Sequence, residues 1–539
     1  MDIYLGIDFG AENIMVSYKT KKDDTIKMVY FNDKPYIKNY YALANNKQEY
    51  FGQEAQDIYL DSLDENNNIL FISKYKQDLV KSTSSIDKEK YKSLSPQKVM
   101  IKMLRYVKKE FEKKFELEEN TTVNIISSVI TIPILWKLDA TVIQMYKLAM
   151  QEVGFKNFRI EAEPVAAAAN VITLTRDKYK LFGLQNAPQS GDNILLIDIG
   201  ASTLDVNLCK YENPIKTIVG EGNEYAGNYL DALLCHYKES IDLEELLKFS
   251  NTYFEDIHDI KRLKEDSRGL HRFAKRNPAD GANITKASKQ YIEEITNSIV
   301  EIITNNFEES IEYFVICGGM SQYNYDDFLK NFALSLKEKL PKRLKNTIFF
   351  NNYRAFNNDF LHKTIVNGAA MLAADPKLVT KNLPYHVGMI VNTKIRGEIE
   401  QQRKRHPIVL LQKGIPLKET SQKDSLRENL LKHGHIKNES DKLTTENFEK
   451  IKVFLANTEK DLEKFVLENK ETQNMKLEIK HGYKNKKDIE QISVDALCYI
   501  DKDGIVNIDI VDIHNDNEII ANGKFEKFTD VEQSLEVRI

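Results

Sequence analysis

Two seven-residue segments of this chain are nearly identical, and they constrain its fold more than any other feature. Residues 5–11 are LGIDFGA and residues 195–201 are LLIDIGA, which agree at five of seven positions. Each segment is an apolar strand that runs into Asp-x-Gly-Ala and then into a second strand-like stretch. Such self-similarity indicates a duplicated supersecondary unit. The sequence therefore predicts two related lobes that face one ligand.

The hydrophobic pattern changes character near residue 376. Before it, alternating strand and helix patterns are typical of an α/β domain. After it, short apolar stretches predict a β-rich segment, and Asp503-Gly504 indicates a hairpin turn. We place the α/β domain at 1–376, a linker at 377–386 and an all-β domain at 387–539. The strands predicted in the first domain are 3–7, 14–18, 123–132, 194–197 and 314–317, and the helices are 97–115, 139–153, 226–239 and 286–310.

Charge and cysteine content exclude several classes of protein. Lys and Arg number 76 and Asp and Glu 81, for a net charge of −5, which argues against a nucleic-acid binder. The four cysteines lie far apart without a C-x-x-C pair, which excludes a disulfide scaffold or zinc ribbon and favours a reducing compartment. The N-terminus lacks a signal-peptide pattern, and no stretch of 18 apolar residues occurs. We expect a cytoplasmic protein without a membrane partner.

The two repeated turns carry the chemistry that points to a ligand. A tight turn of Gly and small residues exposes backbone N–H groups that bind anions, and Gly10 and Gly200 permit positive φ and close phosphate approach. Asp8 and Asp198 stand where their strands end, suited to hold the waters of a hydrated Mg²⁺. Either turn alone is an ordinary hairpin with a turn aspartate. Together the two turns predict a phosphate site.

These residues, with others in order along the chain, resemble a known family. Residues 6–10, 198–205 and 315–319 resemble the two phosphate motifs and the adenosine motif of the actin-like ATPase superfamily. Residues 161–169 (EAEPVAAAA) and 129–133 (VITIP) resemble the heat shock protein 70 chaperone family, DnaK type. The stretch 505–512 resembles the closing strands of that family's peptide-binding β-domain.

The resemblance implies a fold and a site. The fold is a two-lobed, duplicated α/β actin-like ATPase followed by an all-β substrate-binding-like domain, and the cofactors are ATP or ADP with Mg²⁺. The catalytic residues are Lys74, which orients the attacking water, with Glu163, Asp198 and Thr203. Asp8 and Asp198 hold the Mg²⁺, through water. The nucleotide-binding residues are Asp8, Gly10, Ala11, Glu12, Asn13, Gly200, Ala201, Ser202, Thr203, Gly227, Arg272, Gly318 and Gly319.

Departures from the family pattern bear on activity. Ala11-Glu12 replaces a pair of threonines, which removes two hydroxyl donors and places a carboxylate near the phosphates, a repulsive arrangement unless a cation intervenes. Ala201-Ser202 replaces two glycines, and Met320 and Gln322 stand where the family has Ser and a ring-stacking Arg. We therefore expect slow hydrolysis. Because the sequence ends at Ile539, directly after the β-domain, we also expect no helical lid.

Two functions of different classes fit these residues. The first is an ATP-dependent chaperone whose nucleotide state alters the binding of extended apolar peptide or unfolded protein segments, with co-chaperones as further partners. Glu163 and Lys74 favour it. The second is a divergent nucleotide-binding module with little hydrolysis that docks one specific protein. Four residues favour it: Ala11, Glu12, Ala201 and Met320. An actin-like filament protein or sugar kinase fits only the first 375 residues.

Overall fold

The chain divides into two compact units, which are described separately below. One contains residues 1–134 and 145–379, and the other residues 135–144 and 380–539. A computed structural model describes residues 1–23, 25–65, 69–80, 91, 94–134, 136, 139–173, 188–212, 215–223, 226–247, 253–265, 269–307, 310–323, 325–344, 347–349, 359–381, 386–393, 404–411, 424–425, 452–456, 473–474, 476–479, 494–500, 506–512 and 518–524.

Strands and helices alternate along the first unit, as the hydrophobic pattern predicts. Its described strands are β1 (Asp2–Phe9), β2 (Asn13–Thr20), β3 (Ile26–Met28), β4 (Ile37–Lys38), β5 (Tyr41–Leu43), β6 (Glu49–Phe51), β7 (Leu70–Ile72), β8 (Asn124–Ile132), β9 (Phe158–Ala162), β10 (Asn193–Ile199), β11 (Leu204–Lys210), β12 (Ile215–Asn223), β13 (Tyr313–Cys317), β14 (Ile348–Phe349) and β15 (Val379–Lys381).

The helices that connect these strands carry clear start signals. Ser95 precedes Pro96, and its side chain accepts a hydrogen bond from the Lys98 N–H, an N-cap followed by proline at the first helical position. The described helices are α1 (Gly52–Glu65), α2 (Tyr75–Asp78), α3 (Pro96–Glu119), α4 (Ala140–Glu152), α5 (Glu163–Ile172), α6 (Gly227–Glu239), α7 (Leu243–Leu247), α8 (Phe254–Glu265), α9 (Gly269–Arg276), α10 (Pro278–Asn306), α11 (Phe328–Lys339) and α12 (Asp359–Ala374).

Two six-stranded sheets of the first unit repeat one topology. The first has the order β3-β2-β1-β8-β9 with β4 on β2, and the second has β14-β13-β10-β11-β12-β15. In each, the strand that carries the repeated motif pairs antiparallel with the next strand and parallel with a later one, β8 or β13. The duplication predicted from residues 5–11 and 195–201 is therefore present in the backbone, and the α/β class of this region is confirmed.

Close helix packing fixes the two sheets around α5 and α12. A Cβ at Gly368 would collide with the carbonyl of Ala166, and one at Gly6 would collide with the backbone of Ala370. Glycine is therefore required where α12 crosses α5 and where it crosses β1. The buried alanines of α5, Ala166 to Ala169, provide the matching flat surface.

The second unit contributes strands that form two antiparallel sheets. Their orders are β17-β16-β19-β20 and β18-β22-β23-β24-β21. β22 pairs antiparallel with β23, as the hairpin signal predicts, although the turn itself lies outside the described residues. The strands are β16 (His386–Thr393), β17 (Lys404–Leu411), β18 (Asp424–Ser425), β19 (Lys452–Ala456), β20 (Gln473–Asn474), β21 (Lys476–Ile479), β22 (Val494–Ile500), β23 (Val506–Asp512) and β24 (Glu518–Lys524).

Two further observations concern the whole described chain. All four cysteines are free and buried. Among the residues that the structure describes, none of the helices has both the length and the apolar character needed to cross a membrane.

Candidate functional site

The first repeated turn, residues 10–13, is held from outside by Asn39. The Asn39 side chain donates to the Gly10 carbonyl (2.7 Å), and its backbone N–H donates to the Glu12 carbonyl (2.8 Å). Tyr75 donates its hydroxyl to the Asn39 side chain, and its ring packs edge-on against Phe9. The turn is therefore supported by a buried chain of hydrogen bonds.

The second repeated turn, residues 200–203, is held by the start of helix α6. The Gly227 N–H donates to the Gly200 carbonyl (3.0 Å), and the Asn228 N–H donates to the Ala201 carbonyl (2.7 Å). The Asn228 side chain also donates to the Ser202 hydroxyl (3.1 Å). Gly227, predicted as a nucleotide-binding residue, thus lies against the second turn.

Glycine is needed in these turns for a reason other than the one expected. Neither Gly10 nor Gly200 has a positive φ, whereas Gly318 does, so the two turn glycines do not use the conformational freedom that the sequence allows them. At Gly10 a Cβ would lie 2.5 Å from the carbonyl oxygen of Asn13, and at Gly200 it would lie 3.2 Å from that of Thr203. Close backbone approach within each turn therefore excludes larger residues, more strictly at Gly10.

Four buried carboxyl groups meet where the two motif strands end. Carboxylate oxygens of Glu163, Asp198 and Asp205 lie within 4.8 Å of one another. Asp8, at the end of β1, accepts a hydrogen bond from the Thr131 hydroxyl (3.2 Å) and interacts electrostatically with Glu163. The Thr203 hydroxyl donates to Asp205. The predicted residues Asp8, Glu163, Asp198 and Thr203 are therefore brought together.

Burial and mutual repulsion disfavour the charged form of the aspartates in this carboxyl cluster. Burial, and then the charge of Glu163, raises the pKa of Asp8 and that of Asp205 to about 7. The same two causes raise the pKa of Asp198 well above its ordinary value. One oxygen of Asp198 and one of Asp205 have no hydrogen-bond partner. Oxygen-only donors with unpartnered lone pairs suit Mg²⁺, so the residues present fit the predicted metal.

The lysine that pairs with Glu163 of this cluster is Lys76, which is not among the predicted site residues. The Lys76 ammonium lies 3.0 Å from a Glu163 carboxylate oxygen, and both side chains are less than one-tenth exposed. Lys74, the lysine predicted to orient water, has a left-handed backbone (φ 55°) and interacts electrostatically with Glu12 at the first turn. The signal in the sequence that points to Lys76 is its position two residues after Lys74, in Ser73-Lys74-Tyr75-Lys76.

The adenosine motif brings Gly318 and Gly319 to the second turn. β13 ends at Cys317, and Gly318 follows with φ 86°, where a Cβ would collide with the Asp198 carboxylate and the Ile199 carbonyl. Beside it lies a cavity of about 160 Å³. Its lining includes six predicted nucleotide-binding residues: Glu12, Asn13, Gly200, Ala201, Gly227 and Gly319.

Arg272 is placed apart from this cavity. It is exposed on α9 and, among the described residues, stands outside the set that lines the cavity. The neighbouring His271 stacks on Tyr325, with ring centroids 4.8 Å apart. The described lining instead contains Lys261 and Lys264, two lysines of α8 that were not predicted. Their spacing of three residues on a helix was the available signal.

Comparison with known protein families finds a match in this chain. The sequence model described as Hsp70 protein matches residues 39–265, which span β5 to the end of α8. No curated protein matches the chain. The matched region contains the Glu163–Lys76 pair, the second repeated turn and Gly227. The match supports membership of this chain in the Hsp70 family, whose domain has the actin-like ATPase α/β fold.

Proposed function

We propose that this protein is an ATP-dependent chaperone of the Hsp70 type. It binds Mg-ATP or Mg-ADP at the two repeated turns, hydrolyses ATP slowly, and uses its nucleotide state to control the binding of extended apolar peptide by the C-terminal β-strands. The observation that carries this proposal is the convergence of Asp8 and Asp198, one from each repeat, on the buried Glu163–Lys76 pair.

The proposed chemistry is phosphoryl transfer to water. When a Mg²⁺ ion is bound, the carboxyl cluster would hold it, and the ion would supply positive charge that offsets the negative charge of the phosphates. Asp8, Asp198 and Asp205 would hold this ion directly or through water, since their unpartnered or high-pKa carboxyl groups gain most from a cation. The backbone of the two turns would bind the phosphates, because successive N–H groups in a tight turn attract anions.

In this mechanism Lys76 and Glu163 orient the attacking water. Phosphoryl transfer is accelerated mostly by positioning and by charge stabilisation. The Glu163 carboxylate, oriented by the Lys76 ammonium at 3.0 Å, is suited to accept a hydrogen bond from water. We therefore transfer to Lys76 the role that the resemblance implies for Lys74. Lys74 would act at the first turn, beside Glu12.

A matched pair of lysine variants tests this assignment. In the full-length protein, Lys76→Met should lower ATP turnover about a hundredfold or more, the typical cost of losing one preorganised charged group, while ADP affinity changes little. Lys74→Met should lower turnover less than Lys76→Met. Phosphate release measures turnover and calorimetry measures binding. The lysine assignment would be refuted by equal turnover in the wild type and Lys76→Met, and the nucleotide site by the absence of any binding.

Peptide control is tested separately. The described strands of residues 386–524 form antiparallel sheets, and an extended peptide can add to such sheets by main-chain pairing. A fluorescent apolar heptapeptide should bind the full-length protein with different affinity in ATP and in ADP, and Lys76→Met should slow the change from one to the other. Identical peptide affinity in both nucleotides would contradict the coupling.

The second candidate is a nucleotide-binding module with little hydrolysis that docks one specific protein. The observation in its favour is the carboxylate of Glu12, which lies at the first turn in ion-pair contact with Lys261. Mixing the wild-type protein with a small excess of ATP distinguishes the two candidates. ATP that stays bound and unhydrolysed over hours supports the module, and its conversion to ADP supports the chaperone.

A further inference from the structure

We propose that Glu12 is a built-in anion of the nucleotide cavity, which occupies the cations that phosphate groups would otherwise bind and so sets the affinity of the cavity for charged nucleotides. The inference rests on the proposed nucleotide-binding function and assigns to Glu12 a specificity-determining role within it. It starts from the side chains that line the cavity next to the two turns.

Each of the two carboxylate oxygens of Glu12 has a partner of its own. One carboxylate oxygen accepts a hydrogen bond from the Tyr40 hydroxyl, and the other pairs with the Lys261 ammonium. Both charged side chains are largely buried, with exposed fractions of 10% for Glu12 and 12% for Lys261. The Glu12 carboxylate thus occupies a hydroxyl donor and an ammonium donor that an anionic ligand in the cavity would also need.

The cations of the cavity are already neutralised by carboxylates. Lys264 pairs with Asp231, and Lys261 lies 4.0 Å from Asp231 in addition to its contact with Glu12. Two lysines and two carboxylates therefore line the same space. A triphosphate that enters it has to displace Glu12 from Lys261 or bring its own cation.

Glu12 remains charged under ordinary conditions. Burial by itself would raise its pKa, but Lys261, Lys38 and Lys74 outweigh burial and hold the pKa at about 2. The carboxylate is therefore a constant charge and does not act as a pH switch. Its repulsion of a ligand grows with the number of negative charges that the ligand carries.

Helix α8, which carries Lys261, is itself docked next to the first turn. The ring of Phe254, at its start, packs against Phe71 and Tyr59 with centroid distances of 4.8 and 5.4 Å. His258 shares a hydrogen bond with the Gln56 side chain (2.7 Å). Because α8 has these independent contacts, neutralising Glu12 should leave Lys261 close to the cavity and available to a phosphate.

Calorimetric titration of the full-length protein with adenosine, ADP and ATP tests the inference. Glu12→Gln removes the charge with almost no change of shape. It should raise ATP affinity tenfold or more and ADP affinity by less, and adenosine affinity should stay within twofold. Glu152→Gln is the matched control, because Glu152 forms an exposed ion pair with Arg105 (3.2 Å), and it should change none of the three.

A second variant works in the opposite direction. Lys261→Met leaves Glu12 without its main cation and should lower ATP affinity tenfold or more, so the inference can be tested even if Glu12→Gln folds poorly. ATP binding by Glu12→Gln alone supports both the inference and the proposed site. Equal or weaker ATP binding by a folded Glu12→Gln protein overturns only the inference. If neither the wild type nor any variant binds adenosine or a nucleotide, both the inference and the proposed function are refuted.

Discussion

The two repeats of the first unit share a backbone and differ in charge. Each has a four-residue turn, between the paired residues Phe9 and Ile14 in one and Ile199 and Leu204 in the other. The third turn position is Glu12 in the first repeat and Ser202 in the second. The residue paired with the strand-end aspartate is Met15 in the first and Asp205 in the second.

These two exchanges give the carboxyl groups of the two repeats opposite electrostatic surroundings. In the first repeat, the carboxyl group of Glu12 is surrounded by lysines that lower its pKa to about 2 despite burial. In the second, Asp205 is buried near Glu163, which with burial raises its pKa to about 7. A duplicated fold therefore supplies a first repeat whose turn carboxylate is paired with lysines, and a second repeat whose Asp205 lies in a cluster of carboxyl groups. The carboxyl cluster, to which the second repeat contributes Asp198 and Asp205 and the first repeat Asp8, is the place suited to a metal ion.

The first prediction compares the two turn glycines and carries the largest expected effect. Gly10→Ala places a Cβ 2.5 Å from the Asn13 carbonyl oxygen, which requires a shift of backbone, whereas Gly200→Ala leaves 3.2 Å to the Thr203 carbonyl oxygen. Gly10→Ala should cost about 3 kcal/mol of unfolding free energy, at the upper end for overpacking, and Gly200→Ala about 1 kcal/mol. Urea denaturation measures both. Equal losses would mean that the two turns are equally tight.

The sequence was sufficient for the repeated backbone and insufficient for its charges. The match of residues 5–11 with 195–201 predicted two related units, because apolar strands that end in Asp-x-Gly are local patterns. The Lys76–Glu163 pair joins residues 87 positions apart, and the Lys261–Glu12 pair joins residues 249 apart. No local pattern specifies such pairs. The position of Lys74 in a motif therefore predicts that lysine and not Lys76, and the predicted nucleotide-binding residue Arg272 is outside the described lining of the cavity.

The second prediction uses substitutions that neutralise one carboxylate in each repeat, without divalent cations. Asp205→Asn should stabilise the protein at pH 8 by about 1–3 kcal/mol, since it removes a charge whose pKa burial raises. Glu12→Gln should destabilise it by about 2 kcal/mol, because Lys261 loses the nearer of its two carboxylate partners. Asp205→Asn keeps an oxygen that can accept from the Ile134 N–H, so packing is preserved.

The pH dependence of the two effects differs in a way that checks the assignment. A carboxyl group with a raised folded-state pKa contributes stability at low pH that is lost as the pH rises through about 7. The gain from Asp205→Asn should therefore fade between pH 8 and pH 5. The pKa of Glu12 is about 2, so its contribution is lost only below the ordinary glutamate range, and the cost of Glu12→Gln should be constant from pH 5 to pH 8. If the stability changes caused by Asp205→Asn and Glu12→Gln varied with pH in the same way, the difference between the two carboxyl groups would be contradicted.

The third and smallest prediction concerns the asparagine that supports each turn from outside. Asn39 contacts the first turn with its side chain and its backbone and also accepts the Tyr75 hydroxyl, whereas the Asn228 side chain donates a hydrogen bond to Ser202. Asn39→Ala should cost about 1–2 kcal/mol, because a buried tyrosine hydroxyl and the Gly10 carbonyl lose their partner. Asn228→Ala should cost less, about 0.5–1 kcal/mol, since it removes the side-chain hydrogen bond to the Ser202 hydroxyl and leaves no carbonyl or tyrosine hydroxyl without its partner. Thermal unfolding measures both losses. Tyr75→Phe is the control, because it removes the hydroxyl at the other end of the hydrogen bond to Asn39. The double variant Asn39→Ala/Tyr75→Phe should therefore lose less stability than the sum of the losses of the two single variants. Additive losses would show that Asn39 supports the turn independently of Tyr75, and the buried chain of hydrogen bonds would then not be a cooperative support of the first repeat.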